Sequence, residues 1–154
     1  MTMAITLFSV TLTACTDEVD SVPTIPASLH SIDTTGELPS GGQGFVLLTH
    51  GDSAAMNLLA PRWGRPLTLV GFYTLDRQAM ADFHRQLDAN MLSKGWKKID
   101  ATLSPQDGEL LAYALDGGLF SKDRMIAVLL VPVGNNPKLG AEIIANFDFK
   151  PPHS

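Results

Sequence analysis

Apolar positions fall into three regimes: a short run at the start, a polar, acidic stretch in which they keep no sustained period, and a body whose spacing changes from element to element. Within the body, Phe45–Thr49 is a short strand candidate. Residues 50–65 look irregular, with a brief helical turn at Ala54–Leu59, and Leu67–Tyr73 is apolar on both faces, as a central strand would be. The spacing then predicts a helix from about Arg77 to Ser93. Met80, Phe83, Leu87 and Met91 fall on one face with Ala79 beside them, while Arg77, Asp82, Arg85 and Asp88 make much of the rest polar. Asp76 is placed to cap it, because its carboxylate can accept from the free N–H groups of a first turn. Gly95 fits the left-handed position beyond the helix end, returning Trp96 to the core.

From Lys98 onward the period switches to two. Ile99, Ala101 and Leu103 alternate with Lys98, Asp100 and Thr102. A turn at Pro105-Gln106-Asp107-Gly108 leads to a strand over Leu110–Leu115, and Asp116-Gly117-Gly118 reverses the chain again. Met125–Val133 is almost unbroken apolar, the pattern of a strand covered on both faces. After the turn Gly134-Asn135-Asn136-Pro137, a last strand is expected over Ala141–Phe149. Ile143, Ala145, Phe147 and Phe149 point one way and Glu142, Asn146 and Asp148 the other, so one face is expected to be wet. The elements predict an α+β fold: one helix packed on an antiparallel sheet of four to six strands, in β-α-β-β-β-β order. The helix, the Gly-Trp pair and the meander resemble small secreted and lipid-anchored bacterial modules. Phe83, Leu87 and Gly95-Trp96 carry that likeness over residues 66–149, and it implies architecture alone.

Length leaves room for one domain, and 45% apolar with 18% charged residues is ordinary for a globular core. The net charge of −5 is uneven. Residues 1–43 hold Asp17, Glu18, Asp20, Asp33 and Glu37 with no Lys or Arg, whereas residues 44–154 balance 11 acidic against 11 basic residues. Nothing clusters basic charge as a nucleic-acid site would. Pro23, Pro26, Pro39 and Gly41-Gly42-Gln43-Gly44 punctuate residues 16–43, which read as an acidic tether. The alternative for part of it, Ser28–Ile32, is a short strand or turn packed on the domain.

The only cysteine, Cys15, closes the run Leu12-Thr13-Ala14-Cys15, behind the short apolar stretch of Ile5, Leu7, Phe8, Val10 and Leu12. This resembles the lipobox of bacterial lipoproteins, and the apolar stretch is too short to span a bilayer. The resemblance implies cleavage by signal peptidase II between Ala14 and Cys15, and a lipid-bearing thiol on Cys15. It also implies retention at the outer membrane facing the periplasm, since Thr16, and not aspartate, follows the cysteine. A multiply acylated cysteine anchors stably, since acyl chains contribute about 0.8 kcal/mol per buried CH₂. The other reading of residues 4–14 is a buried β-strand, rich in Ile, Thr, Val and Phe. On the lipoprotein reading the chain divides into a signal peptide (1–14), lipidated Cys15 with an acidic tether (15–43), a single α+β domain (44–150) and a tail (151–154).

Candidate chemistry is sparse. Gly51-Asp52-Ser53, behind the strand candidate and His50, resembles the first block of GDSL-type serine hydrolases. That likeness implies Ser53 as nucleophile, with a base and an orienting acid drawn from His50, Asp52, or Asp148 and His153. The plain alternative is a polar turn after a strand. The four histidines lack metal-ligand spacing, and no phosphate loop is present, so no metal or cofactor is implied. Arg62-Trp63-Gly64-Arg65 is the one aromatic-basic cluster, a contact point for glycan, anionic headgroup or protein, or else a loop tryptophan plugging the core edge. The reading that follows is a non-catalytic, membrane-anchored envelope protein contacting another envelope protein or the cell wall. An immunity-type lipoprotein neutralising a periplasmic toxin and a small hydrolase using Ser53 are the alternatives.

Overall fold

The computed structural model describes residues 22–32, 43–64, 68–119 and 121–149. Its elements are β1 (His30–Ser31), α1 (Gln43–Trp63), β2 (Thr68–Asp76), a 3₁₀ turn (Arg77–Ala79) leading into α2 (Met80–Ser93), β3 (Lys97–Ile99), β4 (Glu109–Leu115), β5 (Arg124–Pro132) and β6 (Lys138–Ala145). All pairings are antiparallel, in the order β1-β2-β6-β5-β4-β3. The fold is α+β: β3 to β6 form a meander, and β2 adds beyond β6.

The expected single helix becomes two, one on each face of the sheet. β5 shows the division residue by residue. Ile126, Val128 and Leu130 join Phe83, Leu87, Met91 and Trp96 in the core under α2. Met125, Ala127, Leu129 and Val131 join Leu48, Ala55 and Leu59 in the core under α1. This is the alternation a strand buried on both faces must show.

α1 corrects the expected strand at Phe45–Thr49 and the irregular segment after it. Leu48, Ala55 and Leu59 lie within about one-ninth of a turn of one another at helical spacing and are buried together. Fully burying one leucine contributes roughly 1.5–3 kcal/mol, which outweighs the cost of about 1 kcal/mol for Gly51 inside a helix. Gly51 is also the point of closest approach. A Cβ there would lie 2.6 Å from the Asp107 carbonyl oxygen and 3.0 Å from Val131 Cγ2.

The helix expected over Arg77–Ser93 is present as α2, with differences at its start. Asp76 makes no side-chain cap hydrogen bond. Instead the Arg77 N–H donates to the Pro137 carbonyl at 2.8 Å, and the Arg77 guanidinium donates to the carbonyls of Asn136 (2.7 Å) and Gly134 (2.8 Å). The β5–β6 turn therefore fixes the helix start, replacing a local cap. Met80 is exposed, while Phe83, Leu87 and Met91 are buried. Gly95 takes φ +80°, where a side chain would be strained, and Trp96 turns into the core.

Three further expectations change. The ladder of β3 ends at Ile99 opposite Ala112, although Ala101 and Leu103 still pack on the α1-side core. The side of β6 expected to be wet is covered: Ile144 is buried beneath α1, and Glu142 is fully buried. Finally, residues 22–32 belong to the fold and not to a free tether. Ile25 and Leu29 enter the α2-side core, and β1 pairs with Thr74 and Tyr73. The Ile32 N–H donates to the Phe72 carbonyl, and Asn90 Nδ2 donates to the Thr24 carbonyl at 2.8 Å. Among the described residues, no helix is long and apolar enough to cross a membrane.

Candidate functional site

The sequence-predicted residues separate in space. Cys15, Ala14, Arg65 and His153 lie outside the described residues. Gly51-Asp52-Ser53 sits within α1, so the strand that should precede a hydrolase serine is helix here. The polar side chains of His50, Asp52 and Ser53 go different ways. The Ser53 hydroxyl donates to the Thr49 carbonyl one turn back, at 3.0 Å. His50 Nδ1 lies 3.0 Å from Asp107 Oδ1, on the loop under α1. Asp52 turns toward the sheet and Glu142.

Glu142 is the residue that sequence reasoning misplaced. Its side chain is 0% exposed, and neither oxygen meets a donor among the described residues. Burial foremost, then the neighbouring charge of Asp52, pushes its pKa up to about 8. Two carboxyl groups held together without a cation are stable when they share a proton, which supplies the donor that neither carboxylate has. A second polar cluster, partly buried, lies on the opposite face. The Tyr113 hydroxyl donates to Asp88 Oδ1 at 2.5 Å, and Lys98 Nζ donates to both Asp88 oxygens at 3.0 and 3.2 Å. Burial pulls the Asp88 carboxyl upward, but these bonds together outweigh it and hold the carboxyl below its ordinary range.

Arg62 and Trp63 are the predicted residues that the fold combines into a surface. α1 ends at Trp63, where the Gly64 N–H donates to the Ala60 carbonyl and Gly64 takes φ +83°. This end meets the start of β5 and the end of β6. Together they border an open cleft of about 630 Å³ lined by Arg62, Trp63, Gly64, Lys122, Asp123, Arg124, Asn146 and Phe147. The Arg62 guanidinium lies 4.9 Å from the Trp63 ring centroid and that of Arg124 lies 5.8 Å from Phe147, so each cation is held over an aromatic face. Asn146 braces the corner. Its Oδ1 accepts from the Met125 N–H at 2.7 Å, and its Nδ2 donates to the Asp123 carbonyl at 3.1 Å.

Sequence reasoning found Arg62 and Trp63 but missed Lys122, Arg124, Asn146 and Phe147. The polar run Ser121–Arg124 before an apolar strand was a visible signal, but nothing in it pointed to the end of α1. A comparison of the chain with protein-family models, curated proteins and solved structures finds no match.

Proposed function

We propose that this chain is a lipid-anchored protein of the bacterial cell envelope, held through Cys15 and acting without catalysis by binding an envelope component. The observation that carries this reading is the lipobox-like run Leu12-Thr13-Ala14-Cys15 behind a short apolar stretch. Packing of residues 22–32 on the domain sharpens it. Six residues lie between Cys15 and Val22, and the stretch spans at most about 25 Å, so an anchor at Cys15 holds the domain near its membrane. The proposed site is the outer membrane facing the periplasm, because Thr16 follows the cysteine.

The test is palmitate labelling and membrane fractionation of the wild type beside Cys15→Ser. Label and outer-membrane partition that vanish in the variant support the anchor. An unlabelled wild type in the soluble fraction overturns it.

A second reading has an observation of its own. Leu47 and Leu58 share one stripe of α1, three turns apart, and both are exposed (Leu58 43%), as is Val46 about a third of a turn around the helix. Such a side fits a protein partner, as an immunity-type lipoprotein would require. That reading expects protection of cells from a periplasmic toxin encoded beside it, lost in Leu47→Lys/Leu58→Lys. Protection that survives the double change removes the stripe from the reading.

A further inference from the structure

We propose that α1 is a proton-held lid, which lifts from the sheet as a unit when Asp52 and Glu142 lose the proton they share, while the α2 side of the domain stays closed. The device is built into the fold and does not depend on an anchor at Cys15.

Geometry comes first. Glu142 sits on β6 beneath α1 with its side chain fully buried, and neither carboxyl oxygen meets a donor among the described residues. Asp52 reaches it from α1 and is itself partly exposed. The pair therefore spans the joint, with one carboxyl on the lid and the other on the floor. Among the described residues, no other ionisable side chain faces Glu142 from the elements around it. Its register partners on β5 and β2 are Leu129 and Phe72. Of the titratable residues on the three strands, Arg124, Asp76 and Lys138 lie at strand ends, and Tyr73 packs on the α2 side. On α1, His50 is turned to Asp107, and Arg62 lies over Trp63 at the helix end.

Chemistry comes second. While one proton is shared, each carboxyl has a hydrogen-bond partner in the other, and the joint carries a single charge. Once that proton leaves, two carboxylates face each other, one of them without water or a donor, which is costly for a buried charge. Burial, and after it the Asp52 charge, holds the Glu142 proton up to about pH 8. Movement of α1 is the direct way to bring water to Glu142, because β5 and β2 flank it within the sheet and α2 lies on the opposite face.

Fastening comes third. α2 is tied to other elements along its length. Arg77 holds the carbonyls of Asn136 and Gly134 at its start, Asp88 holds Tyr113 and Lys98, and Asn90 holds Thr24. Ile25 and Leu29 add to its core from outside the helix. α1 buries Leu48, Ala55 and Leu59 against the sheet, with Gly51 in close approach. Its ion pair to Asp107 uses a His50 side chain that is 73% exposed, and pairs so exposed contribute little. The acid pair thus lies under the less firmly fastened helix, where local opening is expected to start.

Matched cysteines read the opening in the full-length Cys15→Ser chain, which has no other thiol. Ala55→Cys lies on the lid and Ala127→Cys on the floor beneath it, whereas Ala141→Cys lies in the core under α2. All three alanines are fully buried. Iodoacetamide labelling is measured from pH 6 to 9, and each rate is compared with that of a short thiol peptide at the same pH to give a protection factor. Closed, the pair keeps its proton up to about pH 8, whereas in the open state Glu142 titrates near its ordinary 4.5. Protection in Ala55→Cys and Ala127→Cys should therefore fall together, about tenfold per pH unit up to about pH 8, while Ala141→Cys stays protected. Glu142→Gln should flatten that dependence at both positions. Falls of equal size in all three variants mean that the proton is linked to unfolding of the whole domain, and overturn the lid. Protection of Ala55→Cys and Ala127→Cys that does not change with pH, or that falls as steeply beside Glu142→Gln, overturns it as well. Lid and floor report independently, so a cysteine variant that fails to fold leaves the other to decide.

Discussion

Replacing Glu142 by glutamine should make this protein more stable at pH 8 than the wild type and leave it little changed at pH 5. Glu142 lies between β6 and α1 with its pKa raised from 4.5 to about 8, by burial first and by Asp52 second. A carboxyl whose folded pKa is raised keeps its proton in the folded state while the unfolded chain releases it. Its contribution is therefore fully present below about pH 4.5 and is lost as pH rises through about 8. The slope within that window is about 1.4 kcal/mol per pH unit. Over the whole window the loss is on the order of 5 kcal/mol, a large share of the 5–15 kcal/mol that typically holds a domain together.

Glutamine keeps the shape, cannot ionise and can donate its amide to Asp52. Urea unfolding at constant ionic strength from pH 5 to 9, followed by tryptophan emission and circular dichroism, checks the prediction. The difference between wild type and variant cancels every other titrating group. It should grow from near zero at pH 5 to a few kcal/mol at pH 8, with the urea slope unchanged. Parallel curves would refute the reasoning. Asp52→Asn removes the charge cause but leaves the burial, so its window should close at a lower pH than that of the wild type.

Gly51→Ala should destabilise the protein by about 1–3 kcal/mol even though alanine is the better helix former by about 1 kcal/mol, because its Cβ meets the Asp107 carbonyl and Val131. A gain in urea midpoint would show slack under α1. Tyr113→Phe should cost about 1–2 kcal/mol and let the Asp88 carboxyl move up toward its ordinary range. In the wild type the lowered Asp88 pKa means stability is lost as pH falls through it, and the variant should lose less there. An NMR titration of the Asp88 carboxyl carbon that does not move would contradict this. Leu48→Ala and Leu87→Ala should each cost roughly 2–5 kcal/mol. Lying in separate cores on opposite faces, they should add in the double variant to within about 0.5 kcal/mol. Strong coupling would mean the sheet does not insulate the two cores.

Legibility in the sequence followed periodicity. α2 was readable because Phe83, Leu87 and Met91 repeat at 3.6 against a polar background, and β5 because its apolar run is unbroken. α1 was not. Its apolar residues lie inward (Leu48, Ala55, Leu59) and outward (Val46, Leu47, Leu58) alike, so no face stands out and the start reads as a strand. The same hidden helix explains Glu142. Alternation along β6 put Glu142 on the polar side correctly, but that side was taken for water when α1 covers it. In the cleft, the Arg62-Trp63 pair was visible as composition, whereas its partners, Lys122 to Phe147, lie about 60 to 85 residues further along the chain.

Local pattern by itself determined the α+β class, the strands of the meander, the second helix with its Gly95-Trp96 exit, and the turns between them. These depend on contacts a few residues apart, which spacing encodes directly. Tertiary structure alone decided that the sheet is covered on both faces and that residues 22–32 join it. It also decided that Asp52 meets Glu142 away from water, and that the end of α1 brings Arg62 into one cleft with Lys122 and Arg124. Each of these is a pairing of segments distant in sequence, stabilised by excluding water from both. The exclusion exists only once the layers have closed.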